Sequence, residues 1–165
     1  MARTPAPGTV VLLVGPPAAG KSTLAARLVA RGAVAAHAVL ASDDARARIA
    51  GDEGDLRHDR RVFAAMRAAL KALARAGETA VIDATNLTPG TRAPWIRIAR
   101  AAGRPVLAVR CDAPLDELAR RNELRIRRVP RGLLARLCRT MALHGAAAAL
   151  RAEGCDEVLD AEALG

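Results

Sequence analysis

The sequence predicts an α/β domain in which helices flank a central parallel sheet. The main observation is that short apolar, β-branched segments alternate along the chain with stretches of helical periodicity, a rhythm typical of β-α-β units. The length of 165 residues suits one domain with one core. No internal repeat, low-complexity linker or change in composition divides residues 1–165, so we predict a single domain.

The individual elements follow from local patterns. Apolar segments predict strands at residues 9–14, 34–40, 79–82, 106–109 and 157–159. Helical spacing of apolar residues predicts helices at residues 21–30, 42–49, 59–76, 88–102, 114–128 and 130–144. Pro89 suits the first turn of the fourth of these helices. Gly77 and Gly103 follow predicted helix ends, where a left-handed backbone favours glycine.

The composition and charge indicate where the protein is located but do not identify a binding partner. A net charge of +9 attracts polyanions such as nucleic acids, but arginine and alanine dominate as they do in GC-rich genomes, so the charge alone leaves that partner open. No apolar run approaches the ~20 residues that span a bilayer, and residues 1–7 lack the layout of a secretory signal. We expect a cytoplasmic protein with no membrane partner. The sequence gives no indication of the oligomeric state.

Residues 15–22 (GPPAAGKS) fit the phosphate-binding pattern G-x-x-x-x-G-K-[ST] between a predicted strand and a predicted helix. Such a loop places main-chain N–H groups and the positive end of the helix dipole around the phosphates of a nucleotide. We expect Lys21 to contact the β- and γ-phosphates and Ser22 to ligate Mg²⁺. ATP and Mg²⁺ are therefore the predicted cofactors. The other residues of the loop that we expect to bind the nucleotide are Gly15, Ala18, Ala19, Gly20 and Thr23.

The rest of the chain favours a kinase over other P-loop proteins. It contains no N-K-x-D element for reading guanine, and it is shorter than most motor ATPases. Acidic residues follow two predicted strands, at the sheet edge where open parallel sheets bind ligands. Asp43 could orient an acceptor hydroxyl and take its proton, or Ser42 or Asp43 could cap a helix. Asp83 could hold the water shell of Mg²⁺ or cap a turn.

Five arginines crowd residues 120–128, where like charges oppose a helix unless anions compensate them. A helical lid at about residues 114–130 would use one or two of these arginines to neutralise the transferring phosphoryl group. The alternative is a solvated basic face. The arginines in question are Arg120, Arg121, Arg125, Arg127 and Arg128.

Taken together, these segments resemble the phage-type polynucleotide 5′-kinases and the wider group of small bacterial, AAA_33-like P-loop kinases. The resemblance extends from about residue 10 to residue 159 and rests on four segments in order: residues 15–23, residues 42–46 (SDDAR), residues 83–89 (DATNLTP) with Arg92 and Trp95, and residues 120–125 (RRNELR). With the loop, it predicts a P-loop NTPase with about five strands in the order 2-3-1-4-5.

The resemblance also implies roles for individual residues. Asp43 would be the general base, Arg46 would contact the 3′-phosphate of the acceptor nucleotide, and Asn86 would belong to the acceptor site. Asp83 and Arg92 are further expected substrate contacts, and Lys21 is catalytic as well as nucleotide-binding. In the lid, Arg125 would be catalytic, with Arg121 beside it at the nucleotide. The sequence departs from the phage enzymes at Ala84, which replaces the aspartate of their D-T-N element.

We therefore predict an ATP-dependent kinase with a hydroxyl acceptor, and the leading acceptor is the 5′-OH end of a polynucleotide. Two alternatives remain open. One is a small-molecule kinase that acts on a hydroxyl of a sugar, nucleoside or antibiotic. The other is a nucleotide-binding regulatory module that hydrolyses ATP poorly and acts through closure of the lid. Few aromatic residues are available to stack a terminal base, because aromatic residues form 1% of the sequence.

Overall fold

The computed structural model describes residues 3–51 and 58–164. Within these ranges, five strands form one sheet: β1 (Val10–Val14), β2 (Val39–Ala41), β3 (Ala80–Asp83), β4 (Val106–Arg110) and β5 (Glu157–Asp160). The strand order is β2-β3-β1-β4-β5, and every neighbouring pair is parallel. The predicted fold class and strand order are confirmed.

Helices connect these strands and flank the sheet. Those in the described part of the chain are α1 (Lys21–Ala30), α2 (Ser42–Ala50), α3 (Asp59–Ala76), α4 (Pro89–Ala101), α5 (Leu115–Glu123), α6 (Arg131–His144), α7 (Ala147–Glu153) and α8 (Ala161–Leu164). α7 and α8 were not predicted, because both are short and neither carries enough turns to show a periodic apolar stripe.

The core lies around β1, the central strand. All its residues are buried, as expected for a parallel strand covered on both faces. α3 packs an apolar stripe that includes Val62, Met66 and Leu70 into the core, at the helical spacing of its sequence. α4 begins at a capping box formed by Thr88 and Thr91, which satisfies main-chain N–H groups of its first turn.

The second predicted strand is shorter than expected. Residues 36–38 form a 3-10 turn (Ala36–Ala38) and the strand begins only at Val39. Residues 35–37 are exposed, so their alanine and histidine side chains gain nothing from the sheet, and alanine has a poor preference for strands. The prediction of a strand over residues 34–40 was therefore wrong in its first half.

Two findings concern the environment of the whole chain. No helix in residues 3–51 or 58–164 is long and apolar enough to cross a membrane. Cys111, Cys138 and Cys155 are free thiols, and burial raises the pKa of Cys111 and of Cys155 to about 11. These two thiols are therefore protonated at neutral pH and poor nucleophiles.

Gly15 stands where the main chain leaves β1 and passes close to the end of β4. A Cβ atom at this position would lie 2.0 Å from the carbonyl oxygen of Cys111. A Cβ atom at Gly132, in α6, would meet nothing within 4 Å. The backbone packing therefore requires glycine at position 15, whereas position 132 has space for a larger residue.

We expect Gly15→Ala to lower the free energy of unfolding by about 1–3 kcal/mol, because the backbone must shift to relieve the contact. Gly132→Ala should raise it by about 0.5–1 kcal/mol, because alanine is the better helix former. Urea denaturation of both variants measures the two effects. A Gly15→Ala variant as stable as the wild type would contradict the close approach.

Candidate active site

A cleft of about 1450 Å³ opens beyond the carboxyl ends of β1, β2 and β3. This is the edge at which open parallel sheets bind ligands. It brings together most of the predicted site residues and leaves Gly15, Asn86 and Arg92 outside its lining. The predicted residues that line it are Ala18, Ala19, Gly20, Lys21, Ser22, Thr23, Asp43, Arg46, Asp83, Arg121 and Arg125.

The loop between β1 and α1 has the geometry of an anion site. Ala18 and Gly20 adopt left-handed φ angles of 65° and 87°, which turn the chain into the helix. α1 begins at Lys21 without a side-chain cap, and the N–H of Leu24 bonds the carbonyl of Gly20. The earlier N–H groups of the first turn have no intrahelical acceptor. With the helix dipole, they form a site for phosphate.

Lys21 provides the positive side chain of this site. Its Nζ is buried in the cleft and donates a hydrogen bond to the carbonyl of Pro16 at 2.8 Å. Burial lowers the pKa of Lys21, while the negative charges of Asp83 and Asp43 oppose this shift and the positive charge of Arg125 adds to it. A buried ammonium at this position is stabilised by an anionic ligand, so the residues present fit a bound triphosphate.

Asp83 and Ser22 provide oxygen ligands beside Lys21. Burial raises the pKa of Asp83, while a hydrogen bond from the Ser22 side chain and the charge of Lys21 oppose the rise. The hydroxyl and the carboxylate are therefore adjacent at the helix start. Mg²⁺ takes one or two such protein oxygens and completes its shell with phosphate oxygens and water, so this pair also fits the predicted metal.

Asp43 lies in the first turn of α2 and also lines the cleft. Neither Ser42 nor Asp43 caps this helix, because Ala41 occupies the cap position and makes no side-chain bond there. The Asp43 carboxylate instead accepts a hydrogen bond from Nη1 of Arg46 at 2.7 Å. Arg46 also donates from Nε to Asp59 at 2.8 Å. The sequence contains no signal for Asp59, because the contact joins two helices.

The helix predicted for the lid is shorter than expected. α5 ends at Glu123, whereas a helix to residue 128 was predicted. The Asn122 side chain donates to the carbonyl of Val129 at 2.8 Å and accepts from the Val129 N–H at 3.0 Å. Val129 also precedes Pro130, and the residue before a proline is disfavoured in helical conformation. The resulting turn contributes arginines to the cleft lining beside Arg121 of α5: Arg125, Arg127 and Arg128.

Asn86 and Arg92 lie inside the protein, away from the cleft. The Asn86 amide donates to the carbonyl of Leu13 at 2.8 Å and accepts from the indole of Trp95 at 3.1 Å. Arg92 is 0% exposed and binds Glu153 in a buried ion pair. Arg92 also donates to main-chain carbonyls of Asn86 and of His144 at the end of α6. The predicted contacts of Asn86 and Arg92 with substrate are therefore not supported, because both side chains join elements of the core.

The fold and the site together define a P-loop nucleotide-binding domain of the kinase type. Its marks are a glycine-containing loop that opens a helix, a parallel sheet of order 2-3-1-4-5 and an arginine-rich turn that lines the cleft. Residues 10–144 match the family AAA_33, described as an AAA domain. The chain belongs to this family, which confirms the resemblance inferred from the sequence. No protein with a curated description matches the chain.

Solved structures of kinases share the fold. One chain of the Pnkp1/Rnl/Hen1 RNA repair complex superposes with a TM-score of 0.71 at 19% identity, over 86% of this chain and 46% of that one, so this protein spans about half its length. The APS kinase CysC of Mycobacterium tuberculosis, solved with AMPPNP and APS, gives 0.56 at 28% identity, over 80% and 74%. A gluconokinase from Sinorhizobium meliloti 1021 gives 0.58 at 18% identity, over 95% and 87%.

Proposed function

We propose that this protein is an ATP-dependent kinase that transfers the γ-phosphoryl group of ATP to a hydroxyl. The observation that carries the proposal is the meeting of Lys21, Asp83 and Asp43 in one cleft. Their charges act on one another there. A buried cation at an anion-binding loop, with a carboxylate in the same cleft to receive a proton, is the arrangement that phosphoryl transfer requires.

In this mechanism the main-chain N–H groups of the loop and Lys21 hold the β- and γ-phosphates. Bound Mg²⁺, with Ser22 as ligand and Asp83 at its water shell, would neutralise charge on the phosphates. Arg125, supported by Arg121, stabilises the charge that spreads over the transferring group. Asp43 orients the acceptor hydroxyl in line and accepts its proton. The acceptor oxygen forms a bond to the γ-phosphorus, the bond to the bridging oxygen breaks, and ADP leaves.

For the acceptor, we propose the 5′-OH end of a polynucleotide. The cleft of about 1450 Å³ must hold ATP as well as the acceptor, so the support for a polynucleotide comes from the residues that line it. Phe63 of α3 and Arg46 both line it, and Phe63 is backed by Trp95, with 6.2 Å between ring centroids. An aromatic face beside the acceptor hydroxyl can stack a base, and Arg127 and Arg128 supply positive charge for phosphates.

A second candidate is a small molecule with a hydroxyl group. The observation that favours it is the engagement of Arg46 by Asp43 and Asp59. Two carboxylates oppose the positive charge of this arginine and reduce its attraction for a phosphate on the acceptor. A neutral acceptor would fit this half of the cleft without a phosphate contact.

Asp43→Asn tests the proposed general base. We expect kcat to fall by about 100-fold or more, because the amide cannot take the hydroxyl proton. Binding of Mg·ATP, measured by calorimetry, should be unchanged, since Asp43 lies on the acceptor side. Glu157→Gln, at the opposite edge of the sheet, is the matched control and should behave as the wild type. Near-normal turnover in Asp43→Asn would remove the assignment.

An acceptor panel with radiolabelled ATP separates the candidate substrates. We expect transfer to 5′-OH oligonucleotides of RNA or DNA, with affinity that falls steeply with salt because counterions are released on binding. Phe63→Leu should raise KM for the oligonucleotide by about tenfold through loss of stacking. Transfer to sugars, nucleosides or antibiotics alone would establish the second candidate. Transfer to none of them, with Mg·ATP bound, would favour a regulatory module.

A further inference from the structure

The contact between α2 and α3 contains a carboxylate that the proposed mechanism does not use. We propose that Asp59 is a positioning residue of the acceptor site, which acts through Arg46 to fix the carboxylate of Asp43. The inference rests on the proposed function, because that function gives Asp43 its role. It adds a residue from a third segment of the chain to the machinery for hydroxyl activation.

The geometry is that of one guanidinium shared by two carboxylates. Nη1 of Arg46 lies 2.7 Å from Oδ1 of Asp43, and Nε lies 2.8 Å from Oδ1 of Asp59. A guanidinium is rigid and planar, so bonds from two of its nitrogens restrict both its position and its rotation. Asp59 therefore determines where Arg46 presents its hydrogen to Asp43.

The burial of the three groups explains why the second carboxylate matters. The Arg46 side chain is 9% exposed, whereas those of Asp43 and Asp59 are 51% and 39% exposed. A guanidinium so far removed from water requires compensation by negative charge. Loss of Asp59 removes one of the carboxylates that hold Arg46, so the guanidinium and the Asp43 carboxylate bound to it can shift from the position in which Asp43 meets the acceptor hydroxyl.

The connection between helices distinguishes this arrangement from an ordinary surface ion pair. Asp43 and Arg46 are three residues apart on α2, and such a local pair on its own contributes little. Asp59 is the first residue of α3, the helix that also brings Phe63 to the cleft. The bond between Arg46 and Asp59 therefore sets Asp43 relative to the wall of the acceptor site.

A cycle of Asp59→Ala, Arg46→Ala and the double variant tests this role. We expect Asp59→Ala to lower kcat by about tenfold or more, as misplacement of a reacting group does, with KM for ATP unchanged. In the Arg46→Ala background, Asp59→Ala should have no further effect. Asp59→Glu, which keeps the charge at the start of α3, should restore part of kcat. Wild-type kcat in Asp59→Ala, or an equal loss with and without Arg46, would overturn the proposal.

Two controls keep the result interpretable. Glu157→Gln removes a carboxylate of similar exposure, 44%, that pairs with Arg3 at the opposite edge of the sheet, and it should leave kcat unchanged. Thermal unfolding shows whether the Asp59→Ala variant folds. If it does not fold, Asp59→Asn, which preserves the size of the side chain, is used in its place. Asp59→Asn should then show the same loss of kcat, and a wild-type kcat overturns the proposal.

An NMR measurement distinguishes failure of this proposal from failure of the proposed function. The ¹⁵N-labelled Nε–H resonance of Arg46, assigned by its loss in Arg46→Lys, needs no acceptor substrate. We expect it to move in Asp59→Ala and to remain in place in Glu157→Gln. If the wild-type protein transfers phosphate to none of the acceptors, the proposed function is refuted. The Nε–H resonance then decides by itself whether Asp59 fixes Arg46. A resonance that does not respond to Asp59→Ala overturns the contact.

Discussion

The burial of one positive charge at the junction of β1 and α1 is the constraint on which the site depends. Lys21 is the first residue of α1, after the loop that leaves β1, and its side chain is buried in the cleft. Its ammonium has a main-chain carbonyl as hydrogen-bond partner, and burial disfavours its charge. The charges of Asp83, Asp43 and Arg125 act on the same ammonium, and a bound triphosphate would supply further negative charge there.

The cleft has two halves of different electrostatic character. On the side proposed for the donor, Lys21 and Arg125 contribute positive charge, and the first turn of α1 offers N–H groups without an intrahelical acceptor. On the acceptor side, Asp43 and Asp59 share Arg46, so positive charge is matched there by carboxylates. In the proposed reaction, this asymmetry would hold the triphosphate at the loop and leave Asp43 to take the proton of the acceptor hydroxyl.

Features encoded in short segments could be predicted from the sequence, whereas contacts between distant segments could not. The loop of residues 15–22 and the ends of α1 and α3 follow from local patterns and are confirmed. The order of the strands, which the resemblance to small P-loop kinases implied, is confirmed as well. Arg92 resembled a substrate contact because of its place after residues 83–89, yet it pairs with Glu153, 61 residues away. The contact of Asp59 with Arg46, and the contact of Asn122 that ends α5, likewise depend on tertiary packing, which no local pattern reveals.

Calorimetric titration of Mg·ATP into the wild type and into Lys21→Met tests the central claim most directly. The wild type should bind, and the variant should bind at least about tenfold more weakly, since it loses a charge-assisted contact with the phosphates. Without nucleotide, Lys21→Met should melt no lower than the wild type, because an apolar side chain replaces a buried ammonium. Equal affinity of the two proteins, or no binding by the wild type, would contradict the account.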